Sequence, residues 1–136
     1  MTVCAQAELP LRPSVDPSSA TIELAIVVPT YNELPNVSEL TNVIKKALAG
    51  IEWELIFVDD NSADGTAEFV RQMAASDRRI RILERIGRRG LASACVEGMQ
   101  ATPASFIAVM DADLQHDESI LAKMLTLIKR DRKSVV

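Results

Sequence analysis

The chain has one histidine and two cysteines among its 136 residues, and this scarcity excludes several kinds of site. With His116 as the only imidazole, the sequence offers no Ser-His-Asp arrangement. Cys4 and Cys95 lie far apart and match no metal-binding spacing. We interpret both as free thiols of a cytoplasmic protein, and we exclude a disulfide-stabilised scaffold.

Long apolar runs are missing too. No run approaches the roughly 18–20 residues of a membrane-spanning helix, and the N-terminus lacks the layout of a signal peptide. The net charge of −4 and the pI of about 5.0 do not favour nucleic acid or anionic lipid as a partner. We therefore expect a soluble protein with no nucleic-acid partner.

Glycine-rich phosphate loops are absent. Neither the dinucleotide-binding pattern G-x-G-x-x-G nor the P-loop pattern G-x-x-x-x-G-K-[ST] occurs in the chain. The polar segment after the first predicted strand is Pro-Thr-Tyr-Asn-Glu, which argues against the glycine-rich loop of a nucleotidyltransferase. Receiver domains and aspartyl-phosphate hydrolases are excluded because their acidic loops follow the first strand.

What the chain does contain is a series of four β-then-α units. Residues 1–20 carry several prolines and no periodicity, so they are predicted to be a flexible leader before one domain, residues 21–136. Repeated βα units predict a parallel sheet with helices on both faces. The predicted strands are Ile22–Val28, Trp53–Val58, Ile80–Leu83 and Ser105–Met110.

Three polar clusters follow three of these strands: "PTYNE" at 29–33, "DDNS" at 59–62 and "DADLQ" at 111–115. In open parallel sheets, ligands bind beyond the carboxyl ends of the strands. The sequence therefore predicts one ligand site built from these clusters. A run of arginines between residues 78 and 89 is interpreted mostly as solvated surface: Arg78, Arg79, Arg81, Arg85, Arg88 and Arg89.

The stretch "VMDADLQHD" places Asp111, Asp113 and Asp117 directly after an apolar run. Two carboxylates about 6 Å apart repel each other by about 3 kcal/mol at an effective dielectric constant near 20. A divalent cation converts this repulsion into affinity, and hard oxygen ligands suit Mg²⁺ or Mn²⁺ carrying substrate phosphates. Asp117 is interpreted as the N-cap of the last helix.

Taken together, these motifs resemble the family 2 glycosyltransferases, and most closely their polyprenyl (dolichol) phosphate mannosyltransferase branch. The matching segments are "VVPTYNELPNV", "IFVDDNSADGTAEFV", "RRGLASACVEGM" and "MDADLQHD", in family order and with family spacing. The resemblance covers about residues 24 to 128. It implies a GT-A type, Rossmann-like α/β domain that binds a nucleotide sugar.

The resemblance also implies roles for individual residues. Asp111 and Asp113 would be catalytic through the metal that they hold, with Gln115 joining the metal ligands. Asp59 would be a structural neighbour, whereas Arg88 is expected in solvent and His116 beside the site. The implied nucleotide-binding residues are Pro29, Tyr31, Glu33, Asp60, Arg89 and Gly90.

The implied reaction is an inverting transfer of a sugar to a polyprenyl phosphate, in a parent at the cytoplasmic membrane face. GDP-mannose is the expected donor, with a UDP-sugar as the alternative. The chain stops at "KRDRKSVV", short of a complete catalytic domain of the family. A nucleotide-binding fragment without transferase activity therefore remains the competing hypothesis.

This shortened form leads to a prediction about association. The strand "SFIAVM" would be a bare apolar sheet edge, which is a template for pairing with another chain. We therefore expect a homo-oligomer that forms through this edge or through exposed helix faces.

Overall fold

A computed structural model describes residues 21–113, 122–123, 125–126 and 129–130, and the backbone of residues 2–5. Its elements are β1 (Thr2–Ala5), β2 (Leu24–Thr30), α1 (Leu34–Ala47), β3 (Trp53–Asp59), α2 (Thr66–Ser76), β4 (Ile80–Glu84), α3 (Leu91–Gln100) and β5 (Phe106–Val109).

The strands form one sheet in the order β1-β5-β2-β3-β4. β5, β2, β3 and β4 run parallel to their neighbours, whereas β1 pairs with β5 in the antiparallel sense. The predicted α/β fold with a parallel sheet is confirmed. The sequence predicted each parallel strand to within two residues at its N-terminal end.

Alternation along β2 divides the core between the two faces of the sheet. Leu24, Ile26 and Val28 belong to a cluster that includes apolar residues of α1 and α2. Ala25 and Val27 point the opposite way and pack with α3. Each fully buried aliphatic side chain contributes about 1.5–3 kcal/mol to stability, so both faces of this strand are fixed by burial.

The end of β2 runs past Pro29, where the sequence predicted the strand to stop. A proline in a central strand is unusual because it lacks an N–H for the sheet ladder. Val27 O accepts a hydrogen bond from Met110 N, so Val27 and Pro29 face β5. The paired register with β5 ends at Val27, and the missing N–H of Pro29 therefore has no partner to lose.

Strand β1 corrects two sequence predictions. Thr2–Ala5 pair with Phe106–Val109, so these four residues are not a flexible leader, and β5 is not a sheet edge. Without β1, the N–H and C=O groups along the outer side of β5 would have no backbone partner. Pairing with β1 satisfies them, which explains why this segment is a strand. Self-association through that edge loses its basis, while association through helix faces stays a prediction.

The last predicted helix is only partly within the described residues. Residues 122–123, 125–126 and 129–130 are helical, and Leu125 is buried in the core beside α1 and α2. Lys129 forms an ion pair with Glu23. Across the described ranges, no helix is both long and apolar enough to cross a membrane.

Candidate functional site

The carboxyl ends of β2, β3 and β5 meet at one edge of the sheet and border a cavity of about 290 Å³. Three separate polar segments of the sequence reach it, as the parallel topology predicts. The lining residues are Pro29, Thr30, Tyr31, Glu33, Asp60, Leu91, Asp111, Ala112 and Asp113. Thr30, Leu91 and Ala112 were not among the predicted site residues, whereas the predicted Arg89 and Gly90 do not line the cavity.

Hydrogen bonds hold the loop after β2 against the loop after β3. Asn32 N donates to Ser62 Oγ over 2.8 Å, and Ala63 N donates to Asn32 Oδ1 over 3.0 Å. Asn32 has a φ of 52°, in the left-handed region that asparagine tolerates better than most residues. These reciprocal bonds fix the backbone at Asn32, between Tyr31 and Glu33, without a ligand.

Asp59 has the structural role that the sequence predicted. Its side chain is buried and accepts hydrogen bonds from Thr30 Oγ1 (2.9 Å), Ser62 N (2.9 Å) and Ser62 Oγ (2.6 Å). Bonds to an ionised carboxylate are about twice as strong as neutral ones. Asp59 therefore ties β2 to β3 at the edge of the cavity.

Asp60 differs from its neighbour because it lines the cavity. Asp60 N donates to Thr30 O (3.0 Å), and Gly90 N donates to Asp60 Oδ2 (3.2 Å). Gly90 has a φ of 129°, which side chains with a Cβ rarely adopt, so glycine is required for this N–H to point at Asp60. Asp60 thus connects the cavity to the N-terminus of α3.

Tyr31, which lines the cavity, contacts Arg89, which does not line it. The Arg89 guanidinium carbon lies 5.4 Å from the centre of the Tyr31 ring, within the range of a cation–π contact. Tyr31 is 52% exposed, so its ring is accessible to a ligand. Two predicted nucleotide-binding residues from distant parts of the sequence are therefore brought together.

Asp111 and Asp113 are exposed and both border the cavity, with the buried Ala112 between them. Burial raises the pKa of the nearby Cys95 thiol, and the negative charge of Asp111 adds to this effect. The thiol therefore stays protonated at neutral pH, which fits a free cysteine without a nucleophilic role.

The two aspartates fit a divalent cation. Among the residues that the structure describes, no three or more His, Cys, Asp or Glu side chains are grouped to hold a metal ion. Mg²⁺ in nucleotide sites, however, is usually held by one or two carboxylates together with substrate phosphates. The carboxylates of Asp111 and Asp113 at an open cavity match that donor set.

Arg85 is the residue that the sequence analysis placed wrongly. It was grouped with solvated arginines, yet its side chain is only 2% exposed. The first residue after β4 reaches the same edge of the sheet as Asp59 and Asp60, so its position along the chain was the available signal. By contrast, Arg88 is 61% exposed as predicted and forms an ion pair with Glu97 (2.9 Å).

Three sequence predictions lie outside the described residues: Gln115 as a metal ligand, His116 beside the site and Asp117 as a helix cap. Their assignments stay predictions.

Comparison with known proteins points to one family. A family model described as Glycosyl transferase family 2 matches residues 25–136. The dolichol-phosphate mannosyltransferase of Pyrococcus furiosus is 35% identical over 108 residues, 79% of this chain and 30% of that protein. Its namesake from Saccharomyces cerevisiae is 38% identical over 110 residues, 76% of this chain and 40% of that protein.

A solved structure agrees with these sequence matches. The mannosyltransferase PcManGT from Pyrobaculum calidifontis, in complex with GDP-Man and Mn²⁺, superposes with a TM-score of 0.63 at 25% identity. The match covers 90% of this chain and 35% of PcManGT, so this chain spans well under half of each protein compared. Since the family model and both sequence relatives cover most of its residues, the chain belongs to glycosyl transferase family 2.

Proposed function

We propose that the chain is the nucleotide-sugar-binding part of an inverting, metal-dependent glycosyltransferase that transfers mannose from GDP-mannose to a polyprenyl or dolichyl phosphate. The observation that carries the proposal is the cavity at the strand ends, which gathers Asp60, Asp111 and Asp113 from two separate motifs. Two dolichol-phosphate mannosyltransferases at 35% and 38% identity support the choice of sugar and acceptor.

The residues around the cavity divide the donor between them. Pro29, Tyr31 and Glu33 would border the base and ribose, where the Tyr31 ring offers a stacking surface. Asp60 would contact the nucleoside. Arg89 lies over the Tyr31 ring, and its guanidinium would suit the diphosphate. The Gly90 backbone allows the loop to approach the donor closely.

Asp111 and Asp113, with Gln115, would hold Mg²⁺ or Mn²⁺. A bound divalent cation supplies stabilisation of the negative charge that develops on the departing nucleoside diphosphate. A polyprenyl phosphate acceptor is already anionic, so the reaction needs little help from a general base.

The competing function is a nucleotide-binding module without transferase activity. The chain spans 30% and 40% of the two mannosyltransferases, which favours this alternative for the chain by itself. Transfer of radiolabelled mannose from GDP-mannose to dolichyl phosphate distinguishes the two hypotheses. Transfer above the background of the Asp113→Ala variant would support the enzyme, and donor binding without transfer would support the module.

The first experiment tests the donor site itself. Thermal unfolding is followed with GDP and with UDP, each with and without Mn²⁺, for the unaltered chain and for Asp111→Ala and Asp113→Ala. Ligand at 100 times its dissociation constant should add about 2.7 kcal/mol to the free energy of unfolding. We expect a Mn²⁺-dependent stabilisation by GDP that both variants lose.

Glu39→Ala is the matched control, because Glu39 is an exposed carboxylate on α1 that does not line the cavity. It should retain the full stabilisation by GDP with Mn²⁺. A larger stabilisation by UDP than by GDP would indicate that the donor is a UDP-sugar and not GDP-mannose. Equal shifts with and without Mn²⁺, or an unchanged response in Asp113→Ala, would contradict the metal assignment.

A further inference from the structure

We propose that Arg85 is a positioning residue, which holds Asp60 and the turn at residues 87–90 in the arrangement that receives the donor nucleotide. That this nucleotide is a sugar donor rests on the proposed function. The positioning itself rests on contacts of Arg85 that need no ligand.

Arg85 is a buried cation between two carboxylates. Its Nε lies 3.3 Å from Asp60 Oδ1 and 2.8 Å from Glu97 Oε2, and its side chain is only 2% exposed. Within the described part of the chain, none of these three buried atoms has a directed hydrogen bond, so the attraction between them is mainly electrostatic. The low dielectric of a buried site strengthens such an attraction.

The outer nitrogens of Arg85 hold the turn that precedes α3. Nη1 donates to Gly90 O over 3.2 Å, and Nη2 donates to Ser93 Oγ over 2.7 Å. Ser93 Oγ in turn donates to Gly90 O over 3.1 Å. Gly90 is therefore fixed from both sides, because its own N–H donates to Asp60 and its carbonyl accepts from Arg85 and Ser93.

The backbone of Arg85 is held as firmly as its side chain. Arg85 N donates to Asp59 O over 2.8 Å, directly after the last paired residues of β3 and β4. One residue thus joins the ends of two strands, the turn and α3. The cation is placed where it can set the orientation of Asp60.

Arg85 acts through its neighbours, because it does not line the cavity that Asp60 borders. The small exposed part of its side chain lies in a separate depression, beside Arg88, Glu97 and Gln100. Arg89 does not line the cavity either, but its guanidinium contacts the ring of Tyr31, which does.

Arg81 provides a matched control on β4, the strand that Arg85 directly follows. Its Nη1 lies 3.3 Å from Glu54 Oε1, a buried carboxylate of β3, and donates to Ala101 O over 2.8 Å. Arg81 therefore also joins β4 to β3 and to the region of α3. It lies four residues, roughly 13 Å, from Arg85 toward the opposite end of the strand.

The test compares Arg85→Met, Arg85→Lys and Ser93→Ala with Arg81→Met. The first measurement is the chemical shift and hydrogen exchange of the Gly90 amide by NMR, without nucleotide. We expect the resonance to move and exchange to accelerate at least tenfold in Arg85→Met. Ser93→Ala should move the resonance less, and Arg81→Met should leave it unchanged.

The second measurement is the affinity for GDP with Mn²⁺ by calorimetry at a temperature where each variant is folded. Arg85→Met should weaken binding at least tenfold, while Arg81→Met stays within twofold of the unaltered chain. Arg85→Lys keeps the charge but lacks the planar fork that reaches Gly90 and Ser93 together. It should recover most of the thermal stability and still bind at least threefold more weakly.

Two results would overturn the proposal. The first is a chemical shift and an exchange rate of the Gly90 amide that do not change in Arg85→Met. If Arg85→Met does not fold, the same absence of change in Arg85→Lys and Ser93→Ala would overturn the proposal. The other is a displaced amide together with an affinity within twofold of the unaltered chain. If the unaltered chain binds neither GDP nor UDP, the proposed function fails, and the Gly90 amide alone decides whether Arg85 holds the turn.

Discussion

Adjacent carboxylates in this protein have different roles because their side chains leave the backbone in different directions. Asp59 ends β3 with its side chain buried among hydroxyl and amide donors, whereas Asp60 borders the cavity. The pair "DD" by itself does not show which of the two is buried, and the family resemblance supplied the assignment of Asp59 as the structural neighbour. The phase of the alternation along β3 decides it.

Asp77, at the opposite edge of the sheet, gives a prediction for pH dependence. Arg79 donates to both of its carboxylate oxygens and Lys45 lies 3.3 Å away, so the pKa of Asp77 is held well below its usual value of 3.8. A carboxyl group whose pKa is lower in the folded than in the unfolded state stabilises the fold at pH values above the unfolded pKa. This stabilisation is lost as the pH falls from the unfolded pKa toward the folded one. Asp77→Asn should therefore lower the free energy of unfolding by about 1 kcal/mol at neutral pH.

The measurement is urea unfolding of both proteins from about pH 7 down to about pH 3. The difference in the free energy of unfolding between the two proteins should shrink as the pH falls below the usual carboxyl pKa. In that range the wild-type aspartate takes up a proton in the unfolded chain, which favours unfolding. Glu39→Gln, at an exposed position, is the control and should show a small, flat difference. A difference that grows at low pH would contradict the argument.

At the level of single residues, the sequence predicted the site where motif and strand end coincide. Four site residues could be predicted because each lies shortly after the end of a recognisable strand: Tyr31, Asp60, Asp111 and Asp113. Arg85 was missed, because charge alone cannot reveal whether an arginine in a basic run turns inward, and its position directly after β4 was the only signal. Its burial depends on Asp60 and Glu97, two partners that only the folded sheet brings to it.

Helix α3 can lie close to the sheet because of one residue. Gly98 has no side chain, and an added Cβ would overlap Cγ1 of Val27 and approach Cγ2 of Val58 to 3.0 Å. The contact is made with two interior strands, each paired on both sides, so neither valine backbone can move away easily. Gly98 therefore sets the distance between the helix that begins at the candidate site and the strands that end there.

Gly98→Ala should destabilise the protein by about 1–2 kcal/mol, although alanine is the better helix former by about 1 kcal/mol. The added methyl group would overpack the interface with β2 and β3. Urea unfolding measures the change. A positive effect on stability would mean that α3 can shift outward at little cost.

Val27→Ala makes room on the strand side and completes a double-mutant cycle. The cost of Gly98→Ala should be smaller in the Val27→Ala background than in the unaltered chain, by about 0.5 kcal/mol or more. Strictly additive effects would show that the two residues do not compete for the same space.

For the whole molecule, the sequence predicted the layers of the fold more completely than its edges. Periodicity identifies buried faces, and β2 and β3 are apolar along nearly their entire length because both of their faces are covered. Thr2–Ala5 gave no such signal, since a single edge strand is stabilised by backbone pairing that any short extended segment can provide. Its partner, β5, determined its position.

Removing β1 should therefore restore the association that the sequence predicted. A variant without residues 1–5 exposes the outer side of β5, and we expect dimers or larger species by size-exclusion chromatography with light scattering. Met110 N bonds to Val27 O, so the preceding N–H, that of Val109, faces β1. Val109→Pro in the shortened variant removes this donor and should keep it monomeric, whereas equal association in both shortened proteins would exclude the edge as the cause.

The pairing of β1 joins two segments that are made far apart in time during synthesis. Thr2 pairs with Val109 and Ala5 with Phe106, so β1 leaves the ribosome well before its partner β5. At about 5–20 residues per second, several seconds pass between the two. A fusion tag placed ahead of Thr2 would therefore act on the pairing of β1 with β5 and not on the pairing among the parallel strands.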